Sequence, residues 1–474
     1  MYAIVGGMLL VFCALPALIE QDSPGQLPPR PAAAQAVLSL ADAVQEALAR
    51  SDRAVTAREH VDQADLSIRL ARSGFAPKLS SNLFGSFGQT DIGNQSYGLA
   101  FSQRFITGTE VRANLGAMTS QNQLGNFYST DTTFLVSQPL LRGFGRAAAR
   151  QELVTAESRV ADAGRQQLLA EQQLAIDVAT AYYRIITQQQ LVGTAEKTLE
   201  RARQLLDASS AKLAAGKVSR LDLLRAQQLV SEAELALTDV RTGVEDAKDQ
   251  LRLLLNRGRE YDFAVASEIP IVPESVTEEE AVTVALQRRP DLQTAKQGVL
   301  EAERAVALAR NQLLPQVDLN LAFTRRETAN GLWSSFGLDK FQFATFTSLA
   351  MPFDRTAQSV AYETAALGLS QRTRDRTALE MRISQEARRS VRNYARLMRS
   401  LELADSSLTF ATQEAELATL RYQRGLSNNL DVVNAENNLL ATRGRNLALV
   451  ADLAVARFQL RATLGLLDPR TDVR

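Results

Sequence analysis

Two regions of the chain alternate oily and polar residues at a period of two. Val317, Leu319, Leu321 and Phe323 interleave with Gln316, Asp318, Asn320 and Thr324, which predicts a strand with one oily and one wet face. Asn330-Gly331 marks a turn after it, and a second strand is expected from Phe341 to Met351. The earlier region, Lys78–Gln138, is longer. Tyr97, Leu99, Phe101 and Phe105 form one alternating row there, and Val111, Ala113, Leu115 and Ala117 another. Thr107-Gly108-Thr109 reads as a tight turn between these rows, so the earlier region has room for four strands where the later has two.

Each strand region ends at a proline, Pro139 in SQPLLRGFG and Pro352 in AMPFDR. Helical period then resumes and runs on for about seventy residues, a rod of roughly 105 Å at 1.5 Å per residue. In the first rod Val178, Ile185, Val192, Leu199, Leu206 and Leu213 recur by sevens, with Ala181, Ala195, Ala202 and Ser209 three residues after members of that row. The second rod has Ala387, Tyr394, Leu401, Leu408, Ala415 and Tyr422. A seam of large and small residues at heptad spacing is a face for close helix packing. No compact domain holds such a helix, so each rod must pack lengthwise against others.

The chain repeats itself. Ser39–Pro77 matches Thr277–Pro315: Ala47-Leu48 aligns with Ala285-Leu286, and Ala57, Val61, Ala64, Leu70 and Ala71 with Ala295, Val299, Ala302, Leu308 and Ala309. Ser39 with Asp42, and Thr277 with Glu280, have capping-box spacing. Both helices are expected to run until Pro77 or Pro315 stops them. A second duplicated motif, AAGKVSRLD (214–222) and QRGLSNNLD (423–431), ends each rod. Gly216 and Gly425 suit a left-handed position after a helix. Ser219 and Asn428 suit the next N-cap, with Asp222 and Asp431 three residues on. These are the tips of two helical hairpins whose return helices are expected at Leu221–Asn256 and Leu430–Leu464.

The expected organisation is a signal peptide over 1–36, a first repeat over 37–257, a linker over 258–276 and a second repeat over 277–474. The first repeat holds a helix, strands within 78–139, a long helix, the tip at 214–222 and a return helix; the second holds the same series with strands within 316–352 and its tip at 423–431. The apolar run Tyr2–Ile19 and the triplet Ala34-Gln35-Ala36 suggest secretion and cleavage. No Lys or Arg precedes that run, so a single membrane anchor is the alternative. Phe12 stands where lipid attachment at Cys13 calls for a small residue.

Composition narrows the function classes. Lys+Arg and Asp+Glu are both 53 among 474 residues, which offers no basic face for nucleic acid. One Cys, in the N-terminal run, and one His leave no disulfide, thiolate metal site or His pair in the mature chain. His60, on a polar helix face, reads as solvated. GFGRAA (143–148) mimics a dinucleotide fingerprint but opens a helix too long for a βαβ unit. Trp333, Phe336, Phe341 and Phe343 suit either an aromatic girdle at a membrane interface or loop packing. With no P-loop, HExxH pair or Gly-x-Ser-x-Gly, no enzyme and no cofactor are expected.

Short amphipathic strands with open edges are not tolerated in a bilayer unless several protomers close them into a barrel. The duplicated LADAVQEAL and EEEAVTVAL starts, Pro77 and Pro315, SQPLLRGFG and the two tips together resemble the TolC family of outer membrane efflux proteins, from about Leu38 to Leu464. The resemblance implies a mainly α fold with β: duplicated long helical hairpins, and strands contributing to a trimeric barrel of 12 strands, four per protomer. It implies a homotrimer in outer membrane lipid with its helices in the periplasm. It also implies a passive exit duct for efflux or type I secretion, docked to a periplasmic adaptor and an inner-membrane pump of RND or ABC type. Within the tips, Asp222 and Tyr422 match constriction positions and Asp431 an acidic ring position; Gly216, Gly425, Ser219 and Asn428 shape the turns. Ser427 stands where the family pattern has a bracing arginine, and Asn434 where it has a second aspartate. The extra strand pair around Thr107-Gly108 either widens the barrel or folds at its rim. A periplasmic adaptor and a soluble coiled-coil scaffold are the competing readings. An adaptor has one hairpin and small β domains, and a scaffold has no use for strands.

Overall fold

A computed structural model describes residues 37–85, 93–122, 125–329 and 341–471. Asn330-Gly331, Trp333, Phe336 and the proposed signal peptide lie outside these. Two short helices, α1 (Leu40–Arg50) and α2 (Asp52–Ser73), lead into strands β2 (Lys78–Gly85), β3 (Gly93–Arg104), β4 (Glu110–Asn122) and β5 (Gly125–Pro139), after a two-residue β1 (Val37–Leu38). The single turn α3 (Arg146–Ala149) precedes α4 (Gln151–Ala214), and α5 (Arg220–Leu254) returns beside it. After β6 (Ala264–Val265) the series repeats as α6 (Glu278–Arg288), α7 (Pro290–Gln312), β7 (Gln316–Ala329), β8 (Gln342–Ala350), α8 (Thr356–Gln423) and α9 (Asn429–Thr463). At 64 and 68 residues, α4 and α8 are about 96 Å and about 102 Å long.

Among the described residues four long strands of the first repeat and two of the second form one antiparallel sheet in the order β2-β3-β4-β5-β7-β8. That departs from the four per protomer implied by the family resemblance. The turn between β3 and β4 is closed by Phe105 N–H donating to Thr109 O (2.8 Å) and Gly108 N–H donating to Phe105 O (2.9 Å). The GFG run is a bend at the base of the sheet, where Gly143 N–H donates to the Asn311 side chain at 2.8 Å.

Each expected lead-in helix is in fact two. The breaks fall at Ser51 and Arg289, both extended, with ψ of 136° and 126°. Arg289 precedes Pro290, whose ring excludes the helical conformation for the residue before it. The linker holds a strand that periodicity did not indicate: Val37–Leu38 pairs in parallel with Ala264–Val265. Two buried tyrosines of the rods anchor this region. Tyr182 Oη donates to Leu38 O at 2.8 Å and accepts from Ala266 N–H at 3.2 Å. Tyr394 Oη donates to Val272 O and accepts from Glu274 N–H, both at 3.2 Å.

The heptad seams are the core. Val178 and Ile185 are fully buried with Ala43, Ala47 and Leu251, and Ala387 with Ala281, Ala285 and Leu292. Burying each of the larger side chains stabilises the fold by roughly 1.5–3 kcal/mol. The duplicated alanines let α1 and α6 lie close on α4 and α8. Toward the tips, Ala195, Ala202, Ala226 and Ala233 line the α4–α5 contact.

Candidate functional site

The tip turns are built alike. The helix before each ends in a glycine at positive φ, 69° for Gly216 and 74° for Gly425. Lys217 N–H then donates to Lys212 O, and Leu426 N–H to Arg421 O, both at 2.8 Å, which satisfies carbonyls left over at a helix end. Ser219 begins α5 with a complete capping box: its hydroxyl accepts from Asp222 N–H while Asp222 accepts from Ser219 N–H. Asn428 begins α9 by accepting from Asp431 N–H at 3.1 Å; Asp431 itself is exposed.

The two tips are joined through Tyr422, which is 2% exposed and packs in one cluster with Leu205, Leu229 and Val432. Its hydroxyl shares a 2.8 Å hydrogen bond with the buried Ser209 of α4. Lys212 Nζ donates to the main-chain oxygen of Tyr422 and stands 3.7 Å from its ring centroid, a cation–π contact. Asn429, fully buried, donates to Asp222 O at 2.7 Å and to Ser209 Oγ at 3.4 Å. So the structure brings Tyr422 and Asp222 into one network without a direct bond between their side chains. The Asp222 carboxylate serves the capping box and lies 3.7 Å from Arg225. The linking side chains are Ser209, Lys212 and Asn429. Of these only Ser209 carried a sequence signal, as the polar member of a row of alanines. A cleft of about 740 Å³ opens among Lys212, Asp222, Tyr422, Leu426, Ser427 and Asn428. The Ser427 hydroxyl, where the family pattern has an arginine, is buried without a hydrogen-bond partner.

Farther from the tip, Glu436 of α9 is 4% exposed and faces Arg201 of α4 at 3.2 Å. Burial pushes its carboxyl above the usual value, and Arg201 opposes the rise. Asn434 is exposed. His60 is also exposed. Among the described residues no group of His, Cys, Asp and Glu is arranged to hold a metal, and no helix is long and apolar enough to cross a membrane.

Residues 43–257 and 281–466 match the sequence profile of the outer membrane efflux proteins, one span for each copy of the duplicated series. The chain belongs to the outer membrane efflux protein family. Its fold is that of the TolC-like channels. The crystal structure of the outer membrane protein VceC from Vibrio cholerae superposes with a TM-score of 0.70 at 19% identity, covering 90% of this chain and 96% of that one. Protein CyaE of Bordetella pertussis is 24% identical over 331 residues, 68% of this chain and 69% of CyaE. The probable efflux pump outer membrane protein SepC of Pseudomonas putida is 25% identical over 333 residues. That match covers 66% of this chain and 64% of SepC, so the chain spans about two thirds of these relatives' lengths. As a family member it is an outer-membrane channel protein whose helices stand in the periplasm.

Proposed function

We propose that the chain is the passive exit duct of a tripartite efflux or secretion assembly, a homotrimer in outer membrane lipid gated at its periplasmic tips. The adaptor and scaffold alternatives have no role for a six-stranded sheet with an oily face, and the family match removes them. The partners of this reading are a periplasmic adaptor and an inner-membrane pump. No catalytic chemistry is required, because cargo moves through the bore by diffusion and by the work of the pump.

One observation carries the gating part: the second hairpin's tip is latched to the first by polar contacts converging on buried Tyr422. Opening the bore requires α8 and α9 to move away from α4 and α5 at this end, which breaks the Ser209, Lys212 and Asn429 contacts together. Each neutral hydrogen bond contributes about 1 kcal/mol. A latch of that strength is stable alone and reversible when a partner engages the tips. The test is conductance in planar bilayers. Replacing Tyr422 and Asp222 with alanine together is expected to raise single-channel conductance severalfold. Unchanged conductance removes the gating role and leaves the channel assignment standing.

A further inference from the structure

The described sheet has six strands, and the question is how many of them reach the membrane. A row of facing residues crosses every strand: Leu79, Phe101, Ala113, Phe134, Phe323 and Phe343 lie opposite one another from β2 to β8. Phe134, Phe323 and Phe343 form a ladder of rings with centroids 6.2 Å and 5.0 Å apart. The neighbouring row on the other face is Ser80, Ala100, Asn114, Thr133, Thr324 and Gln342. Along these rows one face is oily and the other mainly polar from β2 to β8, including the two extra strands; farther along, the oily face also carries Thr130, Thr132, Arg325 and Glu327. A hairpin folded away at a rim has no reason to continue that oily row in register.

The edges are β2 and β8. Every residue of both is exposed, among them Leu79 (68%), Leu83 (77%), Phe343 (62%) and Leu349 (70%). Strands alternate in direction from β2 to β8, and six is even, so the two edges run antiparallel. β8 of one copy therefore fits β2 of the next as another antiparallel pair. By contrast, β4 has no free edge. β3 occupies one side of it from Gly93↔Gln121 to Arg104↔Glu110, and β5 the other.

We propose that β8 of each protomer pairs with β2 of its neighbour and that all six strands enter the barrel, so that a trimer closes 18 strands (3 × 6). The count rests on the trimer proposed above; the edge pairing does not. Barrel diameter grows about linearly with strand number, so this barrel is about half again as wide as one of 12 strands. Barrels of 16–18 strands leave an aqueous channel. The outer membrane section then does not limit cargo size, and selection rests with the periplasmic tips.

Disulfide trapping tests the pairing, because facing Cα atoms in neighbouring strands lie within disulfide reach. Cys13 is the sequence's only cysteine and is replaced by serine. Single cysteines at Ser80 or Asn82 of β2 are combined with Ala344, Phe346 or Ser348 of β8, all on the mainly polar face. Control pairs join the same β8 positions to Asn114 or Gly116 of β4. At least one β8–β2 combination is expected to give covalent multimers on non-reducing denaturing gels, reversed by thiol, and no β8–β4 combination is. Multimers from β8–β4 pairs overturn the proposal, because they require a barrel that leaves β2 and β3 out. If no combination links, strand count in a cryo-EM map of the unaltered protein in lipid nanodiscs decides: 18 upholds the proposal and 12 overturns it. Native mass spectrometry of the same sample gives the copy number, so a β8–β2 link in an assembly other than a trimer upholds the pairing and refutes the trimer.

Discussion

At the scale of single residues, duplication makes the differences between the halves informative. The rows Val178–Leu213 and Ala387–Tyr422 are equivalent, so Tyr422 occupies the place that Leu213 has in the first rod, and Ser209 the place of Ala418. The Tyr422–Ser209 bond therefore exists once per chain and has no symmetric counterpart. Glu436 is the other one-sided feature. Its carboxyl is raised by burial, so the folded chain keeps that proton to higher pH than the unfolded chain. Below the ordinary carboxylate range both states are protonated and there is no difference. As pH climbs through that range the unfolded chain ionises first, and the folded state loses relative stability until Glu436 itself ionises. Glu436→Gln cannot ionise. It is expected to raise the unfolding midpoint by about 1–2 °C at pH 7 and to leave it unchanged near pH 4, read by temperature-scanned circular dichroism. An equal effect at both pH values would show that the carboxyl's charge is irrelevant there.

At the scale of elements, the joints carry more information than the rods. Gly425 sits at φ 74° with nothing within 4 Å of an added methyl, so Gly425→Ala is expected to cost only the left-handed conformation, roughly 1 kcal/mol. Gly465 follows α9 at φ 69°, and an added Cβ there would meet Arg288 C at 2.9 Å and Arg289 N at 3.0 Å. Those atoms belong to the α6–α7 break and cannot shift without moving both helices. Gly465→Ala is expected to cost a further 1–3 kcal/mol or so. A thermal-melt series placing the two variants level would mean that the break is soft. Heptads reported the length of α4 and α8 well because each rod carries one apolar row along its whole length, although the helices that meet the row change. The break at Ser51 and the β1–β6 pairing left no period, because each rests on a few residues meeting distant ones.

At the scale of the whole molecule, the sheet and the bundle have different needs. The bundle buries its seams within one chain, while the sheet leaves two edges and an oily face uncovered, needs that only neighbours and lipid meet. In the proposed trimer the bore is shared, and charges near the tips act together as rings. Asn434 is exposed one turn beyond Asp431 on α9. Asn434→Asp is expected to strengthen block of conductance by multivalent cations about tenfold if the position lines the bore. Block unaltered from the parent channel would place it elsewhere.

The strand and rod lengths, the internal duplication and the glycine, hydroxyl and carboxylate residues of the tips were legible in the order of residues alone, because each depends on neighbours within a turn or along one face. So was the family, from motifs copied in both halves. The six-stranded sheet was half legible: the alternating rows were visible, but not that β5 would take β7 as its neighbour, which joins strands nearly two hundred residues apart. Only the tertiary structure decided that Tyr422 meets Ser209 and Lys212 rather than the Asp222 side chain, and that Asn429 spans the two tips. Those contacts depend on how two long hairpins lie against each other. At the far end of a rod about 100 Å long, a small change in crossing angle moves a side chain by several ångströms, a displacement that no local pattern encodes.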